Sequence, residues 1–470
     1  MKRIIVSILV AIVCFTAPAL AGNPKNISGL KFPELAFKPP KTVRVALKNG
    51  MVLHMLEDHE LPLVDISAMV RTGSAYVPED KAGLAALAGH LWRSGGTKSV
   101  APAELDERLE FIGAIMETSI GMDSGSIGLK ILNKDMDEGL SLFADLIKNP
   151  AFDEKRFAVI KNQMVEALRR QNDEPDALVE REFTKAVFPK HPFGVVPTTK
   201  TVNGITVEEC RNFYYEHIGP ESFTIGIAGD FNPEEMVARF EKLFADFAPA
   251  KSKFYPIPQV EDNIIPGVYL IDKKLAQTAI RMGHVGISRK DPNFETARVM
   301  NYVLGGGGFS SRLMKEVRTV KGLAYSVWSY FTGGESASGS FSIGGETKAT
   351  TTYEFISTSE GIVRQVVQNG VSPEELEQAK EAIINSFIFA FDKNSDVIAR
   401  YLWIDYYDMP KDYLETYRDR IRAITMDRLK AVAAQYLHPD RMVIIVAGDK
   451  AVINSGLEKL GSVRTIEIEK

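Results

Sequence analysis

A pattern of twenty-six residues occurs twice in this chain. ITVEECRNFYYEHIGPESFTIGIAGD (Ile205–Asp230) lies over ITMDRLKAVAAQYLHPDRMVIIVAGD (Ile424–Asp449) at a constant offset of 219, with no gap. Ile205/Ile424, Thr206/Thr425, Pro220/Pro439, Ile225/Ile444, Ala228/Ala447, Gly229/Gly448 and Asp230/Asp449 recur in register. In each copy Thr is placed to cap an amphipathic helix, Pro breaks that helix, and a β-rich run ends at Gly-Asp. A chain built this way folds as two halves that share one helix-then-strand unit. Its 470 residues fit that reading, because a single hydrophobic core stops growing near ~250–300 residues.

Each half begins with strand patterns (TVRVALKNGMVLHMLED and LVDISAMVRTG; VYLIDK and TAIRMGHVG), continues through helices and ends in further strand. That order predicts an α+β fold of two homologous domains, each with helices against a largely antiparallel sheet. Between them FAPAKSKFYPIPQVEDNIIPG (Phe247–Gly267) holds four prolines and no sustained period, which marks 248–267 as a linker. The N-terminal domain is expected at 41–247 and the C-terminal domain at 268–463, with residues 22–40 as an extended arm.

Lys2 and Arg3 precede an apolar run from Ile4 to Val13, and Ala19-Leu20-Ala21 supplies the small residues a signal peptidase reads. Residues 1–21 are therefore read as a secretory signal. A lipid anchor on Cys14 is the competing reading; the bulk of Val13 counts against it. Removing the signal leaves 54 basic against 61 acidic residues, a formal charge of −7, which gives no support to nucleic-acid binding. Cys210 is then the only thiol, so no intramolecular disulfide forms despite an export route that permits them. No second apolar run approaches the ~20 residues a spanning helix needs. The expected protein is exported, periplasmic, and free of the membrane once the signal is removed.

KAGLAALAGHLWRSGG (Lys81–Gly96) reads as a helix carrying His90, one of seven histidines in the chain. A hydrolytic zinc centre needs about three protein ligands, an open position for water and a nearby base. Two histidines at i and i+4 with a glutamate between them supply most of this from one helix. With His90 as the second histidine, Ala86 stands where the first belongs and Gly89 where the glutamate belongs. The favoured reading of His90 is a partly buried histidine, hydrogen-bonded inside the core. Gly89 costs a helix roughly 1 kcal/mol relative to Ala, and close packing is its expected benefit.

GGGGFSSRLMKEVRTVKGLAYSVWSYF follows the helix NFETARVMNYVL. Gly305, Gly306, Gly307 and Gly308 cannot be ordinary helix interior and are expected to form a flexible or tightly turned loop, with Ser310 or Ser311 capping the next helix. No Gly-Lys-Ser/Thr is present and no strand feeds the turn, so a phosphate cradle is excluded. Arg318 and Tyr325 can both donate hydrogen bonds toward a developing oxyanion. The structural alternative puts Arg318 in a surface ion pair and Tyr325 in the sheet. Arg312, at the helix start, reads as a solvated charge.

DKAGLAALAGHLWRSGGTKS resembles the region around the inverted zinc motif, His-x-x-Glu-His, of the pitrilysin/insulinase family of metallopeptidases. The similarity continues almost end to end through NDEP (Asn172–Pro175), HPFG (His191–Gly194), the first copy of the repeat, and GGGGFSSRLMKEVRTVKGLAYSV (Gly305–Val327). The family's third zinc ligand, a glutamate on a later helix, falls on Ala167, with Glu166 beside it. The resemblance thus implies a noncatalytic member: degenerate positions Ala86, Gly89, His90 and Ala167, no metal or cofactor in this chain, and zinc in a homologous partner subunit. It further implies that Arg318 and Tyr325 bind the substrate main chain and help hold the oxyanion in the partner's site, and that Gly305, Gly306, Gly307 and Gly308 take part in binding the substrate. Two such chains would close as a clamshell on unfolded peptides, which add a strand to a sheet edge. Two other readings stay open: a scaffold subunit without catalytic contribution, and a stand-alone metallopeptidase with unrecognised ligands.

Overall fold

Thr206 begins the helix Val207–His217 with a reciprocal cap. Its Oγ1 accepts from the Glu209 N–H at 3.3 Å, while the Glu209 carboxylate accepts from the Thr206 N–H at 2.8 Å. In the second copy Thr425 Oγ1 accepts from the Arg428 N–H at 3.3 Å and starts the helix Met426–Tyr436. Pro220 and Pro439 each open a short 3₁₀ turn that leads into a strand. These facts come from a computed structural model that describes residues 37–252, 254–334, 337–453 and 456–468. The expected signal segment 1–21, Cys14 and residues 22–36 of the expected arm lie outside them.

The N-terminal half holds β1 (Val43–Ala46), β2 (Val52–Glu57), β3 (Leu63–Val70), β4 (Ile115–Ile120), β5 (Gly125–Leu132) and β6 (Phe223–Gly229), in the order β1-β2-β6-β3-β5-β4. The C-terminal half holds β7 (Gly267–Asp272), β8 (Thr278–Val285), β9 (Val327–Phe331), β10 (Ser340–Thr347), β11 (Val443–Gly448) and β12 (Val463–Thr465), in the order β12-β7-β11-β8-β10-β9. Five strands of each sheet trace the same path. The repeated strands β6 and β11 sit at equivalent interior places, each parallel to one neighbour (β2, β7) and antiparallel to the other (β3, β8). The sheets are therefore mixed, more so than the strand patterns predict, because each repeated strand returns beside the half's first long strand through a helical crossover. The sixth strands differ: β1 joins β2 antiparallel, whereas β12 joins β7 parallel.

One face of each sheet packs on helices of its own half. Val64, Ile66 and Ala68 belong to the first core with Leu87, Leu91 and Phe143; Ile280, Met282 and Ile444 belong to the second with Met300, Phe355 and Leu429. The opposite faces are covered by exchange. The helix Pro175–Val187, from the N-terminal half, lays Leu178, Val179 and Phe183 on Ile271, Ala279, Val443, Ile445 and Ala447 of the second sheet. The helix Asn394–Tyr406, from the C-terminal half, lays Ile398 and Leu402 on Ala228, Leu56 and Met69 of the first. Glu180 pairs with Arg281 at 2.8 Å in one contact, and Asp405 takes Arg44 at 3.1 Å in the other. Covering both faces explains why β11 reads VIIVAG, apolar throughout, where a half-exposed strand would alternate.

His284 on β8 is buried, donating from Nδ1 to the Val285 carbonyl at 2.8 Å and accepting at Nε2 from the His438 N–H at 3.0 Å. Burial pushes its pKa down to about 4. The unfolded chain then binds the proton more readily, so the stability that neutral His284 carries is complete above pH ~6.5 and is lost as pH falls toward 4, by about 3 kcal/mol in all. The expected result is that its ring resonances do not titrate above pH 5 by NMR, and that His284→Gln removes this part of the slope of unfolding free energy between pH 6.5 and 4.

Candidate functional site

The helix Leu84–Ser94 turns Leu84, Ala85, Leu87, Ala88, Leu91 and Trp92 into the core, where the Trp92 indole donates to the Leu146 carbonyl at 3.0 Å. Gly89 faces β4 so closely that a Cβ there would lie 2.5 Å from the Ile120 nitrogen and 3.0 Å from the Ser119 carbonyl carbon. Thr118 Oγ1 bridges the contact, donating to the Gly89 carbonyl at 2.7 Å and accepting from the Arg93 N–H at 3.2 Å. Close packing is thus what Gly89 provides, as expected.

His90 corrects the sequence reading. Its imidazole is exposed and makes no hydrogen bond or ion pair among the described residues, because the helix turns the opposite side to the core. Ala86, one turn earlier, is half-buried, and Ala167 lies exposed on the helix Glu154–Gln171. Glu166, also exposed, is engaged with Arg169 at 2.5 Å. The family's zinc does not fit here: two of the three ligand positions are alanines without donor atoms, the base position is glycine, and no group of three His, Cys, Asp or Glu able to hold a metal occurs among the described residues.

The glycine run is not a free loop. After the helix Phe294–Asn301 the chain continues as a π-helical turn, Tyr302–Gly306, then a 3₁₀ turn, Gly308–Ser310. A Cβ on Gly305 would lie 2.4 Å from Ser329 Oγ and 2.6 Å from its nitrogen, so this turn is seated directly on β9. Gly308 has φ +59° and open space around it, where the left-handed conformation favours glycine. Ser311 Oγ donates to the Gly308 carbonyl at 2.7 Å and accepts from the Met314 N–H at 3.4 Å, so Ser311 is the cap of the two candidates. A second π-helical segment, Met314–Val320, carries Arg318. Such segments are rare and concentrate at functional sites.

Arg318 and Tyr325 come together, and Phe309 joins them. The Arg318 guanidinium lies over the Phe309 ring at 4.5 Å and over the Tyr325 ring at 4.9 Å. Phe309 is 73% exposed and Tyr325 83%, and neither the Arg318 guanidinium nor the Tyr325 hydroxyl has a hydrogen-bond or ion-pair partner among the described residues. The structural alternative fails on both counts: Arg318 has no ion pair, and Tyr325 precedes β9 without entering it. A guanidinium held between two rings keeps its planar fork oriented while its N–H groups remain available. Phe309 was missed by sequence reasoning, although its position directly after four glycines, on the same block as Arg318, was a signal. Arg312 is not a solvated charge: its Nε and Nη2 grip Glu375 at 2.8 and 2.5 Å, fixing the block to the helix Pro373–Ser386 and holding the Glu375 carboxyl below its usual range.

Two sheets built on one repeated unit, a motif helix that keeps one zinc-ligand position out of its two and no base, and an Arg/Tyr pair beside a sheet edge define an inactive, peptidase-like chain. Comparison with known proteins agrees. Residues 54–196 match the model of the insulinase family, peptidase family M16, and residues 204–383 match that of the peptidase M16 inactive domain. The chain belongs to this family. A protein of Rickettsia bellii described as an uncharacterized zinc protease is 27% identical, over 78% of this chain and 89% of its own. A non-peptidase homologue from Helicobacter pylori is 22% identical, over 84% and 91%. The crystal structure of a peptidase M16 inactive domain from Pseudomonas fluorescens superimposes with a TM-score of 0.79 at 26% identity, covering 87% of this chain and 98% of that one.

Proposed function

We propose that this chain is the noncatalytic, peptide-binding subunit of an exported heterodimeric zinc peptidase, and that Arg318 and Tyr325 complete the active site of a homologous, zinc-bearing partner. The carrying observation is the Arg318 guanidinium, without an ion pair among the described residues and lying over two exposed rings, in a chain whose own motif keeps only one of three zinc ligands and no base. A half-buried arginine held in this way without an ion pair does little for the fold, whereas its N–H fork suits a peptide carbonyl that gains negative charge during hydrolysis. β9 supports the same reading. It is the edge strand of its sheet, paired with β10 among the described strands, and begins two residues after Tyr325; the Ser329 carbonyl is taken by the Asn301 side chain at 2.9 Å, so an unfolded peptide would add through the remaining main-chain groups. The two chains would close around the peptide as a clamshell. Zinc belongs to the partner, and export rests on residues 1–21.

The test is reconstitution with a homologous chain that carries the intact His-x-x-Glu-His motif. Tyr325→Phe and Arg318→Ala are each expected to lower kcat for an unfolded peptide about 10- to 100-fold, the worth of one hydrogen bond to a charged group, with assembly unchanged by gel filtration. Undiminished kcat in both variants would leave the chain as a scaffold, and chelator-sensitive hydrolysis by this chain alone would show a metal centre of its own.

A further inference from the structure

A second site, independent of Arg318 and Tyr325, lies in the C-terminal half. A cavity of about 470 Å³ opens between the helices Phe294–Asn301, Pro373–Ser386, Asn394–Tyr406 and Tyr413–Arg422. Its floor is aromatic. The Trp403 and Tyr413 rings are 5.5 Å apart, and Tyr417 stacks on Phe387 at 4.7 Å. Three guanidiniums, of Arg289, Arg298 and Arg400, line the cavity, and no Asp or Glu does.

These arginines are placed in different ways. Arg289 lies over Phe294 at 5.4 Å and Trp403 at 5.9 Å and donates to the Gly333 carbonyl at 3.1 Å. Arg298 donates to the Tyr417 hydroxyl at 2.7 Å. Arg400 is exposed and makes no hydrogen bond or ion pair among the described residues. The carboxylate behind the floor, Glu295, already accepts from the Tyr413 hydroxyl at 2.6 Å and faces Arg420 at 3.9 Å. Burial pushes the Tyr417 phenol up and the Glu295 carboxylate adds to that, while Arg298, Arg420 and Arg400 act on it in the opposite direction, so three guanidiniums lie close enough to the floor to be felt there. Like charges gathered around one cavity repel one another and are stabilised by a counter-charge. A floor of tilted aromatic rings of this size takes an apolar body.

We propose that this cavity binds a carboxylate carried on an aromatic or apolar body, with Arg298 and Arg400 gripping the anion and the Trp403, Tyr413 and Tyr417 rings receiving the apolar part. Two sources carry that chemistry: a free aromatic acid, and the C-terminal end of a peptide. Isothermal titration of the full chain with 2-naphthoate, its neutral amide, and short peptides ending in phenylalanine as free acid or amide separates them.

The expected result is that at least one of the two acids binds, at least tenfold more tightly than its amide. Arg400→Ala, with an unchanged circular dichroism spectrum, is expected to weaken that acid at least tenfold, and Arg298→Gln to weaken it similarly. Binding of the peptide acid identifies a chain end as ligand; binding of naphthoate alone identifies a small acid. No binding of either acid at millimolar concentration, equal affinity for acid and amide, or unchanged affinity in Arg400→Ala would overturn the proposal.

Discussion

Phe183→Ala is expected to lower the unfolding free energy by about 3–5 kcal/mol, the range for emptying a buried phenylalanine site. Phe183 belongs to the N-terminal half by sequence, yet it is buried among Ile271, Ala279, Val443, Ile445 and Ala447 of the second sheet. Among the described residues its helix is the only α-helix in that cluster, where Phe188, Phe193, Ile257 and Ile264 are the other large members. The reciprocal contact is smaller: Ile398 and Leu402 rest on Ala228, Leu56 and Met69, and Leu402→Ala is expected to cost about 2–5 kcal/mol. Phe389→Ala is the control, since Phe389 is 75% exposed and its truncation should change stability by no more than about 0.5 kcal/mol. Urea unfolding at constant m-value measures all three. A loss of under about 1 kcal/mol in Phe183→Ala would mean that the exchanged helix does not hold the second sheet.

Gly89→Glu is expected to destabilise the protein by about 2–4 kcal/mol and to leave it without zinc, even combined with Ala86→His. Two effects compete at this position. Any side chain gains about 0.5–1 kcal/mol over glycine in helix propensity. Against this, a Cβ would lie 2.5 Å from the backbone nitrogen of Ile120, and β4 cannot give way as a flexible side chain would. The helix must instead lift away, losing the Thr118 hydrogen bond to the Gly89 carbonyl, and such overpacking costs about 1–3 kcal/mol. A carboxylate forced against β4 without a partner adds a further penalty of ~2 kcal/mol or more. Sterics and desolvation outweigh propensity. Ala167 still offers no third ligand. Thermal denaturation and zinc content of the purified variants decide the matter; a Gly89→Glu chain as stable as the natural one would show that the helix has room to retreat.

Much of the architecture was legible because its signals are local. Thr206 and Thr425 cap their helices through hydroxyls three residues from the amides they satisfy, and the strands β6 and β11 follow within one short turn. Arg318 and Tyr325 were legible through the motif that places them. Phe309 was not, since its contact with Arg318 depends on how the π-helical segment folds back over the glycine turn, and that geometry rests on the fit of Gly305 against Ser329. His90 was misread for a different reason. Helical periodicity shows that Leu84, Leu87, Ala88 and Leu91 share one apolar side, and His90 falls on the opposite side, exposed.

The sequence by itself determined that the chain is duplicated, that each copy runs helix to strand, and that the motif helix lacks the side chains a metal requires. Those properties reside in residue identity and short spacing, which no packing can alter. Only the tertiary structure decided that each half lends a helix to the other's sheet, that Arg312 is clamped by Glu375 while Arg318 stays unpaired, and that arginines from separate helices gather around one aromatic cavity. An amphipathic helix records that it has an apolar face, but which sheet that face meets, and which charges are thereby brought together, is set by contacts between residues hundreds of positions apart.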